Sequence, residues 1–114
     1  MIPDRDRARV ERWVYARNEE IPKQARGTVR VELDIGDRAL TIFESHPPWQ
    51  PERSADWTRA AVARLRYTKT SDEWSLYWPD RNSDFHEYDA VSPTRYVVHL
   101  LAEIDRDPTG IFWG

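Results

Sequence analysis

Residues 74–89 read WSLYWPDRNSDFHEYD, and the fold is decided here. Two runs alternate aromatic and polar residues around Asp80, Arg81, Asn82 and Ser83, a cluster of turn formers. Successive side chains of a strand point to opposite faces, so the pattern predicts an antiparallel hairpin with one apolar face. Taking Asp80 to Ser83 as a four-residue loop puts Phe85 opposite Trp78 and His86 opposite Tyr77.

Working upstream, residues 58–68 form the strand before this hairpin. Ala61, Ala63, Leu65 and Tyr67 share one side, and Val62, Arg64 and Arg66 the other. A tight turn near Thr70 and Ser71 sets Tyr67 against Trp74, Leu65 against Leu76 and Ala63 against Trp78, small residues facing large ones. Val29, Val31, Leu33 and Ile35 alternate with Arg30, Glu32 and Asp34 in a first strand. A two-residue turn at Gly36 and Asp37 then pairs Ile35 with Arg38, Leu33 with Leu40 and Val31 with Ile42. The predicted strands are 28–35, 38–45, 58–68, 73–78 and 85–89. Between the second and third, the proline-rich residues 46–51 are expected to lie as a lid over a sheet edge, with Trp49 and Trp57 near the surface.

Helical spacing of Val10, Trp13, Val14, the Arg17 stem and Ile21 predicts a helix over 4–21, capped by Asp4 and stopped by Pro22. A second helix is predicted over 93–106, with Ser92 as N-cap, Pro93 at its first position, and Val97, Leu100, Leu101 and Ile104 on one stripe. The closing residues IFWG are too apolar to hang free and should pack back on the domain. The expected fold is α+β: a five-stranded antiparallel β-meander with an N-terminal and a C-terminal helix.

A chain of 114 residues suits one domain, which at this size buries roughly two-thirds of its unfolded surface. It has no cysteine, so disulfides and thiolate metal sites are excluded and a reducing compartment is permitted. The first residues are charged where a signal peptide needs an apolar core, and no apolar run nears the roughly 20 residues of a membrane span. These features predict a soluble, cytoplasmic protein. Residues 1–30 hold eight Lys or Arg against five Asp or Glu, whereas the remainder holds nine against fifteen. So acidic a body disfavours broad nucleic-acid binding, which needs a large phosphate-neutralising patch.

The runs WSLYWPDRN at 74–82, FHEYD at 85–89 and LLAEIDRDPTGIFWG at 100–114 resemble the bacterial family called domain of unknown function 3024. TIFE at 41–44, PPW at 47–49 and VARLRY at 62–67 extend the resemblance to most residues after about Arg30, and DPTGIFWG is its most specific part. The resemblance implies a small stand-alone bacterial domain, and brings with it no activity, cofactor or site.

The predicted register gathers Arg64, Tyr77 and His86 in one polar row on the open sheet face. Arg66, Ser75 and Tyr88 form a second row, and Phe43 borders them. A guanidinium, a phenol and an imidazole together can hold a phosphate or carboxylate. The expected function is therefore a non-enzymatic binding or protein-interaction module working through that face. Its partner would be another protein, a second copy in a homodimer, or a small anionic ligand. The alternative is a metal-free hydrolase or RNase-like enzyme, with His86 for acid and base work and Tyr77 and Arg64 stabilising charge. A third reading stacks single-stranded bases on Phe43 and Tyr77. His46, His86 and His99 lack ligand spacing, so neither metal nor cofactor is expected. Asp105 and Asp107 are expected to bond turn amides.

Overall fold

Pro3 fixes φ at the entrance of the first helix, and the acidic Asp4 and Asp6 occupy its first turn, where the helix dipole favours negative charge. In the computed structural model, which describes residues 1–114 except Trp49, Pro51 and Ser54, this helix is α1 (Asp4–Glu20). Pro3 is its N-cap and no side chain caps it, so Asp4 is the first helical residue rather than the cap. A single 3₁₀ turn at Lys23–Ala25 follows Pro22. Five strands then run β1 (Arg30–Ile35), β2 (Ala39–His46), β3 (Thr58–Thr68), β4 (Glu73–Pro79) and β5 (Phe85–Glu87), before α2 (Val97–Arg106).

The strands pair antiparallel in chain order, giving the expected meander. Both helices pack on one face of it, against Leu40, Ile42, Ala63, Leu65, Tyr67, Trp74 and Leu76, and the other face is left open. On α2, Val97, Leu100, Leu101 and Ile104 are buried as the stripe requires. This helix starts at Val97 and not at Pro93, because Thr94 exchanges both backbone hydrogen bonds with Trp74 (2.7 and 3.0 Å). That strand-like bridge continues the β4 edge beyond β5 and leaves Ser92 and Pro93 outside the helix.

Register decides which residues share a face. Across β3 and β4, Tyr67 faces Trp74 and Leu65 faces Leu76, as the sequence pattern predicts. At the first hairpin Ile35 faces Leu40, Leu33 faces Ile42 and Val31 faces Glu44. The Gly36 amide donates to the Ala39 carbonyl (2.8 Å), so the turn is centred on Asp37 and Arg38, one residue later than the expected Gly36 and Asp37, and the pairing slides by two. A slip of two residues keeps every side chain on its expected face.

The last hairpin differs by one residue, and that reverses β5. Its loop is Asp80–Asp84: the Asp80 amide donates to the Asp84 carbonyl (2.8 Å), and Ser83 takes a left-handed conformation (φ 65°). The Asp80 carboxylate holds the loop by accepting from the amides of Asn82 (2.8 Å) and Asp84 (3.0 Å). In consequence Pro79 faces Phe85, Trp78 faces His86 and Tyr77 faces Glu87. The expected pairs Phe85 with Trp78 and His86 with Tyr77 are not formed.

Two carboxylates sit inside the helix-covered face. Asp6 of α1 is 3% exposed and accepts from the Trp74 indole N–H (3.0 Å), so the first helix is pinned to the start of β4. Its other oxygen makes no hydrogen bond, with Arg9 Nη1 3.8 Å away. Glu103 of α2 accepts from the Tyr88 hydroxyl (2.7 Å). A second junction ties β1 to α1: the Asn18 side-chain amide donates to the Val31 carbonyl (2.9 Å) and its oxygen accepts from the Val31 amide (2.8 Å).

The closing residues pack back as expected, Phe112 being buried against Tyr88. Asp107, left-handed at the end of α2 (φ 41°), accepts from the amides of Phe112 (3.0 Å) and Trp113 (2.9 Å), the turn chemistry read from its sequence. Asp105 instead binds the Trp13 indole (3.1 Å) and Arg17 (2.6 Å) on α1. Among the described residues no helix is long and apolar enough to cross a membrane.

Removing the indole donor tests the pin between α1 and the sheet. Trp74→Phe leaves the buried Asp6 oxygen unpaired and should lower stability by about 1–3 kcal/mol in urea unfolding. Asp6→Ala should couple with it, so that the double variant loses less than the sum of the singles. Additive losses would mean that the bond contributes nothing.

Candidate functional site

Residues paired across strands share a face, and successive pairs on the open face line up as Asp34, Thr41, Arg64, Tyr77 and Glu87, one from each strand. Arg64 and Tyr77 therefore stand side by side as the sequence predicts, but the third member on β5 is Glu87. The five-residue loop turns His86 to the opposite face, where its ring lies 4.8 Å from that of Trp78 and its Nε2 donates to Asp80 (2.8 Å). That bond is the first cause holding the Asp80 carboxyl below its usual range, helped by the loop amides. Tyr88 follows the same reversal and is buried against α2, so it belongs to the core and not to a row with Arg66 and Ser75, which do face each other.

The open face divides into two halves. In the half nearest β1, every arginine is occupied. Arg59 makes a bidentate pair with Asp34 (2.8 and 3.2 Å), reaches Glu32 (3.2 Å) and lies 3.8 Å over the Phe43 ring. Arg30 bonds Glu32 (3.1 Å) and lies 3.9 Å over the half-buried Trp57. Ser45 donates to Glu32, which is the main cause lowering that carboxyl's pKa. The Arg59 pair likewise lowers Asp34 and raises Arg59 itself. Phe43 is on the face the sequence assigned it, two residues from Thr41 on β2, and a bulge opposite it leaves Val62 without a partner on β2 and turns Ala61, expected beside Ala63, to the same face as Phe43. With a guanidinium on its ring it borders this neutralised half, apart from Arg64. Trp49, expected near the surface, lies outside the described residues.

The other half is differently charged. Arg64 donates through Nε to Thr41 (2.9 Å) and lies 4.0 Å over the Phe85 ring, and among the described residues its two terminal nitrogens make no hydrogen bond. Among the described residues no carboxylate pairs with Arg64, Arg66 or Lys69. Arg38, from the first hairpin, is 3.9 Å from Asp37, whose carboxylate also lies 3.6 Å from the amino terminus. Arg38, Arg64 and Arg66, with Gly36, Asp37, Ala39, Tyr77 and Phe85, line a concavity of about 370 Å³. Tyr77 is half-buried in its wall, its hydroxyl 3.5 Å from Glu87. Unpaired guanidinium groups converging on a cleft with a phenol are suited to a phosphate or carboxylate.

Of the six residues read as a site, Arg64, Arg66 and Tyr77 come together, Phe43 stands apart on the same face, and His86 and Tyr88 are on the other. Sequence reasoning missed Arg38 and Lys69, which enter from turns whose geometry no alternation pattern reports.

Tyr88 offers a check on the reversed strand. Burial, then its bond to Glu103, pushes its phenol up to about 12, above the roughly 10 of an unfolded chain. The folded state thus holds this proton more tightly, and its contribution to stability is intact below about pH 10 and lost as pH rises through about 12. Ultraviolet titration should show a late-ionising phenol that Tyr88→Phe abolishes. A wild-type titration with every tyrosine ionising at the ordinary value would place Tyr88 on the open face after all.

No curated protein and no solved structure matches the chain. Its residues 2–114 match the family described as Domain of unknown function (DUF3024), so the N-terminal helix lies within the match as well as the sheet and the closing motif. The chain, over essentially its whole length, belongs to the DUF3024 family.

Proposed function

We propose that this protein is a non-enzymatic binding module that takes an anionic group on the open face of its sheet, between Arg38, Arg64 and Arg66 and beside Tyr77. The observation that carries this reading is the contrast between the two halves of the face. Arg30 and Arg59 have carboxylates at 2.8–3.2 Å, whereas Arg64 and Arg66 stand on the same surface with none among the described residues. Folding has fixed Arg64 through Thr41 and Phe85, so part of the ordering entropy of a bound guanidinium is already spent before any ligand arrives.

An acid–base enzyme built on Arg64, Tyr77 and His86 needs the three within reach of one substrate. The register sets His86 against Trp78 and Tyr77 against Glu87, on opposite sides of the sheet, which counts against a substrate shared by this trio. Base stacking on Phe43 is opposed by Arg59, which already covers that ring.

Two-dimensional NMR with increasing sodium phosphate at fixed ionic strength tests the reading. Shifts should gather at residues 36–39, 64–66 and 77, and Arg64→Ala with Arg66→Ala should remove them. Shifts confined to the helices, or none for phosphate, sulfate and citrate alike, would overturn it.

A further inference from the structure

Resting on that anion-binding reading, we infer that the ligand carries several phosphates joined in series, as inorganic polyphosphate or a nucleoside triphosphate does, and not one isolated anionic group. The concavity adjoins a second of about 420 Å³, lined by Arg38, Arg66, Tyr67, Thr68, Lys69, Thr70 and Tyr77. Arg38, Arg66 and Tyr77 line both, so together they form one trough from Arg64 and Phe85 to Lys69 and Thr70.

The cations along the trough are set out in a line. Arg64 and Arg66 share a face two residues apart, about 6.6 Å along the strand. Lys69 follows at the next turn, and Arg38 of the neighbouring hairpin lines the second concavity with it. A lone phosphate, held by one forked guanidinium, leaves the remaining cations unused; a chain of phosphates engages them in turn. Carboxylates bound the trough: Asp37 beside Arg38, Glu87 beside Tyr77, and Glu73 in register with Thr68. They keep the positive strip narrow, which suits a linear anion over a broad one. At one end the Arg64 guanidinium stacked on Phe85 offers a flat cation against which a planar ring can rest.

Calorimetric titration of the full chain with sodium tripolyphosphate, orthophosphate and ATP at constant ionic strength tests this. Tripolyphosphate should bind roughly tenfold or more tighter than orthophosphate, one added charge-assisted contact sufficing for that factor. The side chains of Arg66 and Lys69 make no hydrogen bond or ion pair among the described residues, so their variants should fold normally. Arg66→Ala and Lys69→Ala should each weaken tripolyphosphate severalfold, and Arg66→Lys should restore most of the loss. ATP binding more tightly than tripolyphosphate would assign the chain to a nucleotide, and the reverse to inorganic polyphosphate; both support the inference. Equal affinity for tripolyphosphate and orthophosphate, or variants without effect, would overturn it. So would tight binding of a single-stranded oligonucleotide with none of tripolyphosphate. Binding of citrate but of no phosphate species would overturn this inference while sparing the anion site, whereas no binding by any of these anions would remove both.

Discussion

Everything on the open face depends on the parity of the loops that join the strands. Side chains alternate sides at each residue, so a loop error of two residues is silent and an error of one exchanges the faces of the whole next strand. Both cases occur in this chain. The turn after β1 is centred one residue later than expected, which slides the pairing by two, and Leu33, Leu40 and Ile42 still meet in the core. The connection after Pro79 is one longer, and it sends His86 and Tyr88 to one side and Phe85 and Glu87 to the other. The extra residue is stabilised locally, by the Asp80 carboxylate and by Ser83 in a left-handed conformation.

The covered face explains why the reversed strand is tolerated. Tyr88 inserts its ring beside Phe112 and gives its hydroxyl to Glu103, so the α2 side gains both packing and a satisfied buried carboxylate. Trp74 gives its indole N–H to one oxygen of Asp6 on α1, the other oxygen making no hydrogen bond. The most family-specific residues, DPTGIFWG, belong to this architecture. Asp107 clamps two amides, Gly110 supplies a left-handed turn (φ 72°), and the Trp113 indole donates to the Ile104 carbonyl (3.0 Å). Arg17 lies over both Trp113 and Trp13, closing the seam between the helices. That motif is a clasp for the C-terminal end, with Asp107 and the Trp113 indole bonded to backbone, and it lies apart from β3 and the turns beside it.

How far the sequence could be read follows from the range of each signal. Period-two alternation and complementary sizes made the β3–β4 register legible, including Arg64 beside Tyr77, because Ala63, Leu65 and Tyr67 need large partners on β4. The helical stripes were legible for the same reason. The β4–β5 register was not, since Phe85 or His86 each makes an acceptable neighbour for Trp78 and the choice rests on how the Asp80 carboxylate organises its own loop. The start of α2 was hidden because a Ser-Pro pair reads as a helix entrance, while a long-range bridge between Thr94 and Trp74 claims that backbone first. Arg38 and Lys69 joined the site only through tertiary placement of two turns.

One consequence concerns the free side of β1. Strands at a sheet margin offer unmatched donors and acceptors that invite association with a neighbouring chain. In this protein the carboxamide of Asn18 occupies the Val31 donor and acceptor together, as a single residue of a sixth strand would. An arriving segment would have to displace α1 before it could align there, so the helix acts as a sentry against edgewise stacking at that point of the rim.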